Sequence, residues 1–244
     1  MYFIDIDLTM LKKTRENIYN LYKILFSQEF KGKLNSYCTD FTILKRDLFS
    51  NLSEFIYIYD SCDYVIGNPP YISLYGRRDK KKNESQRQFY LDNYQQFPTH
   101  VKNGKINYIM LFIEQGINFL KQNGVLSFIV DIAFFETAYQ YCRQYLVQNY
   151  TIEKLVYNLK VFDNVTSGQI LIEIKKNKPL LNHQVNLIDY DTNNINLISQ
   201  SHWDNPQDEF RFRLPNSSDL TPIINKIFDK QDKTLKDIRK TTTN

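Results

Sequence analysis

Asp63-Tyr64-Val65-Ile66-Gly67-Asn68-Pro69-Pro70-Tyr71 is the stretch that decides how this chain folds. Asp63 to Ile66 reads as a short buried strand, and two successive prolines end it, because proline has no N–H for the next rung of a ladder. The position after such a strand is where open α/β sheets place their sites. The four residues that follow Gly67 also carry chemical meaning. An amino group on an aromatic ring is a poor nucleophile, since its lone pair is delocalised, and hydrogen-bond acceptors draw that pair back onto nitrogen. Asn68 offers a side-chain carbonyl, Pro69 a backbone carbonyl on a rigid frame, and Tyr71 a flat face for a planar ring. A base in duplex DNA must leave the stack to reach such a loop, and an aromatic platform recovers part of the lost stacking. A plain strand-ending turn accounts for Pro69 and Pro70 but not for the amide and the aromatic beside them.

Working outward, the pattern alternates strands with helices. Tyr2 to Ile6 reads as a strand, followed by a helix capped by Thr9 and reaching about Phe26, with Leu11, Ile18, Leu21, Tyr22 and Leu25 on one side. Phe41 to Lys45 reads as a second strand. Ile109, Phe112, Ile113, Gly116, Ile117 and Leu120 form a helical stripe that belongs to the core. Val125 to Val130 is apolar except for Ser127, as expected of a parallel strand covered on both faces, and Asn123-Gly124 turns into it. Asp131 ends that run, either lining a pocket or facing solvent. Ile152 to Tyr157 and Gln169 to Lys175 alternate like strands, with a further strand at Val185 to Tyr190 and a helix from about Leu220 to Phe228. The class is α/β with helices on both faces of the sheet.

On these residues the chain resembles the adenine-specific DNA methyltransferases, particularly the methylase region of type IIG-like restriction-modification enzymes, which join both activities in one polypeptide. Phe3-Ile4-Asp5-Ile6-Asp7 is similar to their second motif, and the resemblance implies that Asp5 holds the ribose hydroxyls of S-adenosylmethionine. Arg46-Asp47-Leu48-Phe49 resembles the next motif, which makes Asp47 the partner of the cofactor's adenine and Leu48 and Phe49 its apolar neighbours. Asn68, Pro69, Pro70 and Tyr71 are the catalytic match. Tyr108 to Lys121 and Asn123 to Val130 are similar to the helix and buried strand that follow the catalytic loop. Val161-Phe162, with Val165-Thr166-Ser167-Gly168-Gln169, resembles the late motif whose aromatic stacks on the flipped base opposite Tyr71, and Phe162 is that match. The implied fold is a class I S-adenosylmethionine-dependent, Rossmann-like sheet, mostly parallel, with Ile152 to Tyr157 and Gln169 to Lys175 as its antiparallel edge pair. The likeness covers about residues 1 to 176, which are expected to form the methyltransferase core; residues 177–244 read as a polar extension leading towards an absent target-recognition domain.

The departure from the family is an absence. Its members begin with a strand and a glycine-bearing loop that seats the methionine end of the cofactor. The seven glycines here, Gly32, Gly67, Gly76, Gly104, Gly116, Gly124 and Gly168, include none near Asp5 and no Gly-x-Gly pair. Loss of a central strand leaves backbone groups open, at about 1 to 3 kcal/mol for each one that is buried. The expectation is a fragment truncated at both ends, or half of a split enzyme that docks with an upstream chain carrying the loop and with a target-recognition domain or subunit.

Composition sets the remaining bounds. Hydrophobic residues at 42% and charged residues at 24% over 244 residues describe a soluble chain with one core and room for a small appendage, and three cysteines without a disulfide pattern suit the cytoplasm. The net charge of +4 is mild, but Arg77, Arg78, Lys80, Lys81 and Lys82 crowd the stretch after Tyr71. There they either neutralise phosphates of double-stranded DNA or form a solvated loop. Phe89, Tyr90, Tyr94 and Phe97 follow, and they either stack on bases or pack that loop down, the second being the expectation. Cys38, Cys62 and Cys142 have no Cys-x-x-Cys spacing, and His100, His183 and His202 lack ligand spacing, so neither a disulfide framework nor a metal is expected. None of the cysteines follows a proline, unlike the nucleophile of cytosine-carbon methyltransferases. No apolar run approaches the ~20 residues of a membrane helix. The alternative activity is glutamine methylation of translation release factors, whose enzymes resemble this class and also use Asn-Pro-Pro-Tyr. The basic insert and the Phe162 segment favour DNA.

Overall fold

The apolar run at Val125 to Val130 becomes the second strand of a six-stranded sheet in the computed structural model, which describes residues 1–44, 58–72, 80–94, 106–160 and 168–214. The chain divides into two compact units, Met1–Arg211 and Phe212–Asn244, and every element below belongs to the first. Its strands are β1 (Tyr2–Asp5), β2 (Asn35–Cys38), β3 (Cys62–Gly67), β4 (Leu120–Asp131), β5 (Thr151–Leu159), β6 (Gln169–Lys175), β7 (Gln184–Asp189) and β8 (Ile195–Ser199). The helices are α1 (Leu8–Phe26), α2 (Lys80–Asn93), α3 (Tyr108–Phe119) and α4 (Gln140–Asn149). β1 and β2 pair in parallel as a separate two-stranded sheet, and the larger sheet runs β3-β4-β6-β5-β7-β8. In that sheet β3, β4, β5 and β7 point one way, while β6 and β8 run against them. The sheet is therefore mostly parallel without being purely so. β5 and β6 are antiparallel as expected, but they do not form its edge: β7 joins β5 in parallel and β8 closes the order.

Alternation along the strands sets the core. Leu126, Phe128 and Val130 of β4 lie beside Ile174, Ile172 and Ile170 of β6, and all six are buried. α3 covers this face closely: a Cβ on its Gly116 would stand 2.5 Å from Leu126 Cδ1 and 3.2 Å from Phe128 Cζ. α4 lies near α3, since the Glu114 carboxylate of α3 acts on Cys142 and Tyr145 of α4. α1 packs on β1 and β2. The opposite face of β3 and β4 differs from the two-sided burial expected of their apolar runs. Tyr64 and Ile66 are 71% and 79% exposed, and Val125 and Ile129 are only half-buried. β3 also ends the strand order, so its outer edge has no strand partner among the described residues. The two sheets nevertheless share one apolar cluster, in which Leu44, Ile58 and Phe119 are buried against Ile4, Tyr37, Cys62 and Val65.

Two local readings are corrected. α1 is capped by Asp7, not Thr9: the Asp7 carboxylate accepts the Thr9 and Met10 amides at 2.7 and 3.3 Å, so the cap lies two residues before Thr9. Phe41 to Ile43 is a 3-10 turn rather than a strand, because Asp40 takes both the amide and the hydroxyl of Thr42, at 2.8 and 2.7 Å. The second strand forms earlier, at β2. α1 also buries less than its stripe implies, with Leu11 enclosed but Leu21 and Leu25 exposed. The expected helix at Leu220 to Phe228 lies outside the described residues.

Gly116→Val should overfill the contact between α3 and β4. The expected result is a loss of about 1 to 3 kcal/mol, read as a lowered midpoint in urea denaturation.

Candidate active site

The loop after β3 is placed by pairing and by two backbone hydrogen bonds. Val65 pairs with Leu126 and Gly67 with Phe128, so Asn68 emerges at the carboxyl end of two adjacent parallel strands. Gly67 fits there because a side chain would press against the Phe128 ring, 3.0 Å from its Cε1. Ile72 donates its amide to the Pro70 carbonyl at 2.9 Å, and Tyr108, the first residue of α3, donates to the Ile72 carbonyl at 3.0 Å. Asn107 caps that helix by accepting the Ile109 amide at 2.9 Å. The loop is thereby fastened to the start of α3, with Asn68 exposed, Pro69 buried, Pro70 exposed and Tyr71 half-buried.

The Tyr71 hydroxyl donates to Asn68 Oδ1 at 3.1 Å. Burial raises the Tyr71 phenol above its ordinary range, and the negative charge of Asp131 adds to the rise. Asp131 ends β4 at the same end of the sheet, where its Oδ1 accepts the Ala133 amide at 2.7 Å and caps a short 3-10 turn, Ile132–Phe135. Ile132 in turn donates to the Gly168 carbonyl at 2.9 Å, and Asp131 pairs with Gln169. The residues flanking 161–167 therefore meet the sheet beside Asp131. Phe162 itself lies outside the described residues.

Of the remaining sequence candidates, Asp5 ends β1 in the other sheet, exposed, with Oδ1 accepting the Asp7 amide at 2.8 Å. Asp47, Leu48, Phe49, Arg77 and Arg78 lie outside the described residues. Lys80, Lys81 and Lys82 open α2, a helix where the sequence reading placed a loop. α2 is anchored by its aromatics. Tyr90 and Tyr94 are buried, the Tyr94 hydroxyl donates to the Thr42 carbonyl at 2.6 Å, and the Tyr90 hydroxyl lies 2.8 Å from Thr42 Oγ1. Gln86 joins them by donating to the Tyr90 and Tyr108 hydroxyls at 3.3 and 3.2 Å. The packing expected of Tyr90 and Tyr94 is found, and hydrogen bonds not foreseen from the sequence connect α2 with both Thr42 and the start of α3. Only the spacing of Gln86, Tyr90 and Tyr94 at four-residue intervals pointed to them.

Arg143 was also missed. It is buried and donates to four carbonyls, those of Phe134, Glu136, Glu209 and Phe210, at 2.7 to 3.0 Å. Burial lowers its guanidinium to about 10, which leaves it charged at neutral pH. It ties the segment at Glu209 to the turn that follows Asp131. Among the described residues no group of three or more His, Cys, Asp or Glu is placed to hold a metal ion, and no helix is long and apolar enough to cross a membrane.

An α/β sheet with an Asn-Pro-Pro-Tyr loop at the carboxyl end of parallel strands is the frame of a methylase. The family model for the Eco57I restriction-modification methylase matches residues 1–162, and the chain belongs to that family. No curated protein matches it. Among solved structures, the type IIG restriction endonuclease BpuSI shares 19% identity at a TM-score of 0.51, over 77% of this chain and 20% of that one. A modification subunit of a putative type I restriction enzyme from Vibrio vulnificus YJ016 shares 13% identity at 0.51, over 89% and 42%. DrdV, solved as a complex with DNA, shares 12% identity at 0.52, over 89% and 25%. The likeness is one of fold, and this chain spans about a fifth of the length of BpuSI.

Tyr94→Phe removes the hydroxyl that holds Thr42 and should destabilise the chain by about 1 kcal/mol, measured by chemical denaturation.

Proposed function

We propose that this chain transfers a methyl group from S-adenosylmethionine to the exocyclic amino group of adenine in DNA, as the modification activity of a restriction-modification system. The observation that carries this reading is the Asn68 to Tyr71 loop, with an exposed amide, a buried rigid proline and a half-buried aromatic gathered at one end of parallel strands. When bound, S-adenosylmethionine would supply an electrophilic methyl on sulfur, whose S–C bond breaks to leave a neutral thioether. Asn68 Oδ1 and the Pro69 carbonyl accept the two amino hydrogens and restore the lone pair to nitrogen, which takes the methyl and sheds one proton to water. Tyr71 and Phe162 hold the two faces of the base. Most of the rate gain then comes from alignment and fixed dipoles, not from a general base.

The cofactor is assigned to Asp5, Asp47, Leu48 and Phe49. Asp5 fits the role on one point of geometry: its Oδ1 is taken by the Asp7 amide, which leaves Oδ2 at an exposed strand end for a ribose hydroxyl. The methionine end has no comparable seat among the described residues. An upstream chain carrying the family's glycine-bearing loop is the partner proposed for that end, with the exposed Tyr64 and Ile66 beside the loop as the surface it would pack on. Double-stranded DNA is the substrate, with Arg77, Arg78, Lys80, Lys81 and Lys82 contributing phosphate contacts, and the reaction is placed in the cytoplasm.

The test is transfer of labelled methyl to unmethylated plasmid DNA, with a translation release factor offered in parallel. Label should appear in adenine, and Asn68→Ala should lower it by about a hundredfold or more while cofactor affinity stays within about twofold. Label in the release factor and not in DNA would overturn the assignment.

A further inference from the structure

The four-residue loop contains one contact that its proposed chemistry does not require. The Tyr71 hydroxyl reaches back three residues and donates to Asn68 Oδ1 at 3.1 Å. A tyrosine that served only as a flat platform would have no use for its hydroxyl. An exposed asparagine, in turn, turns its carboxamide freely, and half of its orientations place the NH2 donor where the oxygen should be. Here the phenol O–H donates to the carboxamide oxygen and so holds the group in one orientation, with that oxygen beside the tyrosine.

We infer that Tyr71 is a positioning residue as well as a platform: its hydroxyl holds the Asn68 carboxamide still, in the orientation in which the site accepts a group with two N–H donors. This rests on the proposed methyl transfer to an amino group and adds the device that selects one. The backbone around the loop agrees. The Pro70 carbonyl is taken by the Ile72 amide at 2.9 Å, whereas no hydrogen bond among the described residues takes the Pro69 carbonyl. Asn68 Oδ1, with one lone pair held by Tyr71, keeps a second, and Pro69 supplies the other acceptor. Two acceptors in adjacent positions suit an NH2 group and repel a ring carbonyl, which would face oxygen lone pairs with nothing to donate. Burial and Asp131 raise the Tyr71 phenol, so it remains a donor at neutral pH.

The experiment has two arms, and the first needs no turnover. In protein labelled with nitrogen-15 at asparagine, the Asn68 side-chain signal is assigned by its loss in Asn68→Ala. Its mobility is then compared between the wild-type chain and Tyr71→Phe. An ordered carboxamide in the wild type that becomes mobile in Tyr71→Phe supports the inference, and equal mobility in the two overturns it. The second arm measures methyl transfer to duplex DNA. Tyr71→Phe keeps the ring, so KM should stay within about twofold while kcat falls about tenfold, the effect of one hydrogen bond of ordinary strength. Wild-type kcat in the variant overturns the role. A wild-type chain that transfers no methyl to any substrate counts against the proposed function, while the first arm still decides whether Tyr71 orients Asn68.

Discussion

Gly116 is the constraint on which the placement of the loop depends. Without a side chain there, α3 lies close enough to the sheet for Leu126, Phe128 and Val65 to fill the space a Cβ would take. That contact fixes the height of β3 relative to β4, and the parallel register carries Gly67 to Phe128 and Asn68 just beyond. The same helix begins at Tyr108, whose amide holds the Ile72 carbonyl, so α3 presses on the strand with its middle and fastens the loop with its first residue. Strand and helix thus fix the two ends of a six-residue span, Gly67 to Ile72, in which two of the residues are prolines. Little backbone freedom is left for the loop to lose when a target arrives.

The sequence was most legible where burial is strongest. β4 and α3 announce themselves through apolar runs and a helical stripe, and the prolines mark where β3 must stop. It was less legible where a polar side chain outcompetes a pattern. Phe41, Thr42 and Ile43 look like a strand, but Asp40 takes the Thr42 amide and bends the chain. α2 hides behind lysines and asparagine because its apolar surface reduces to a few aromatics that hydrogen-bond with Thr42 and Tyr108. Continuous apolarity misled in one respect. It implied cover on both faces of β3 and β4, whereas Tyr64 and Ile66 stand exposed on the face opposite α3.

For the site, residue identity was readable and orientation was not. Asn68, Pro69 and Tyr71 stand out by type, since an amide, a rigid carbonyl and an aromatic together fit few chemistries. The bond from Tyr71 to Asn68 depends on how Pro69 and Pro70 direct the chain between them, which no spacing rule encodes. Asp131 shows the same limit. Its place at the end of an apolar strand left pocket and solvent equally open. Its cap on Ala133 and its electrostatic effect on Tyr71 bring it to the loop.

Arg143 extends this dependence to the far end of the described chain. A buried guanidinium with four carbonyl partners fixes the backbone of Phe134 and Glu136 on one side and of Glu209 and Phe210 on the other. Each carbonyl would be costly to leave unpaired in the interior, so the cation joins two segments more than sixty residues apart in a way that apolar packing alone would not specify. The turn it holds is the one that Asp131 caps and that bonds Gly168 through Ile132. The floor beside Tyr71 is therefore set by polar contacts reaching to Phe210, whereas the strand that delivers Asn68 is set by apolar contact with α3. The exposed loop lies where these two kinds of support meet.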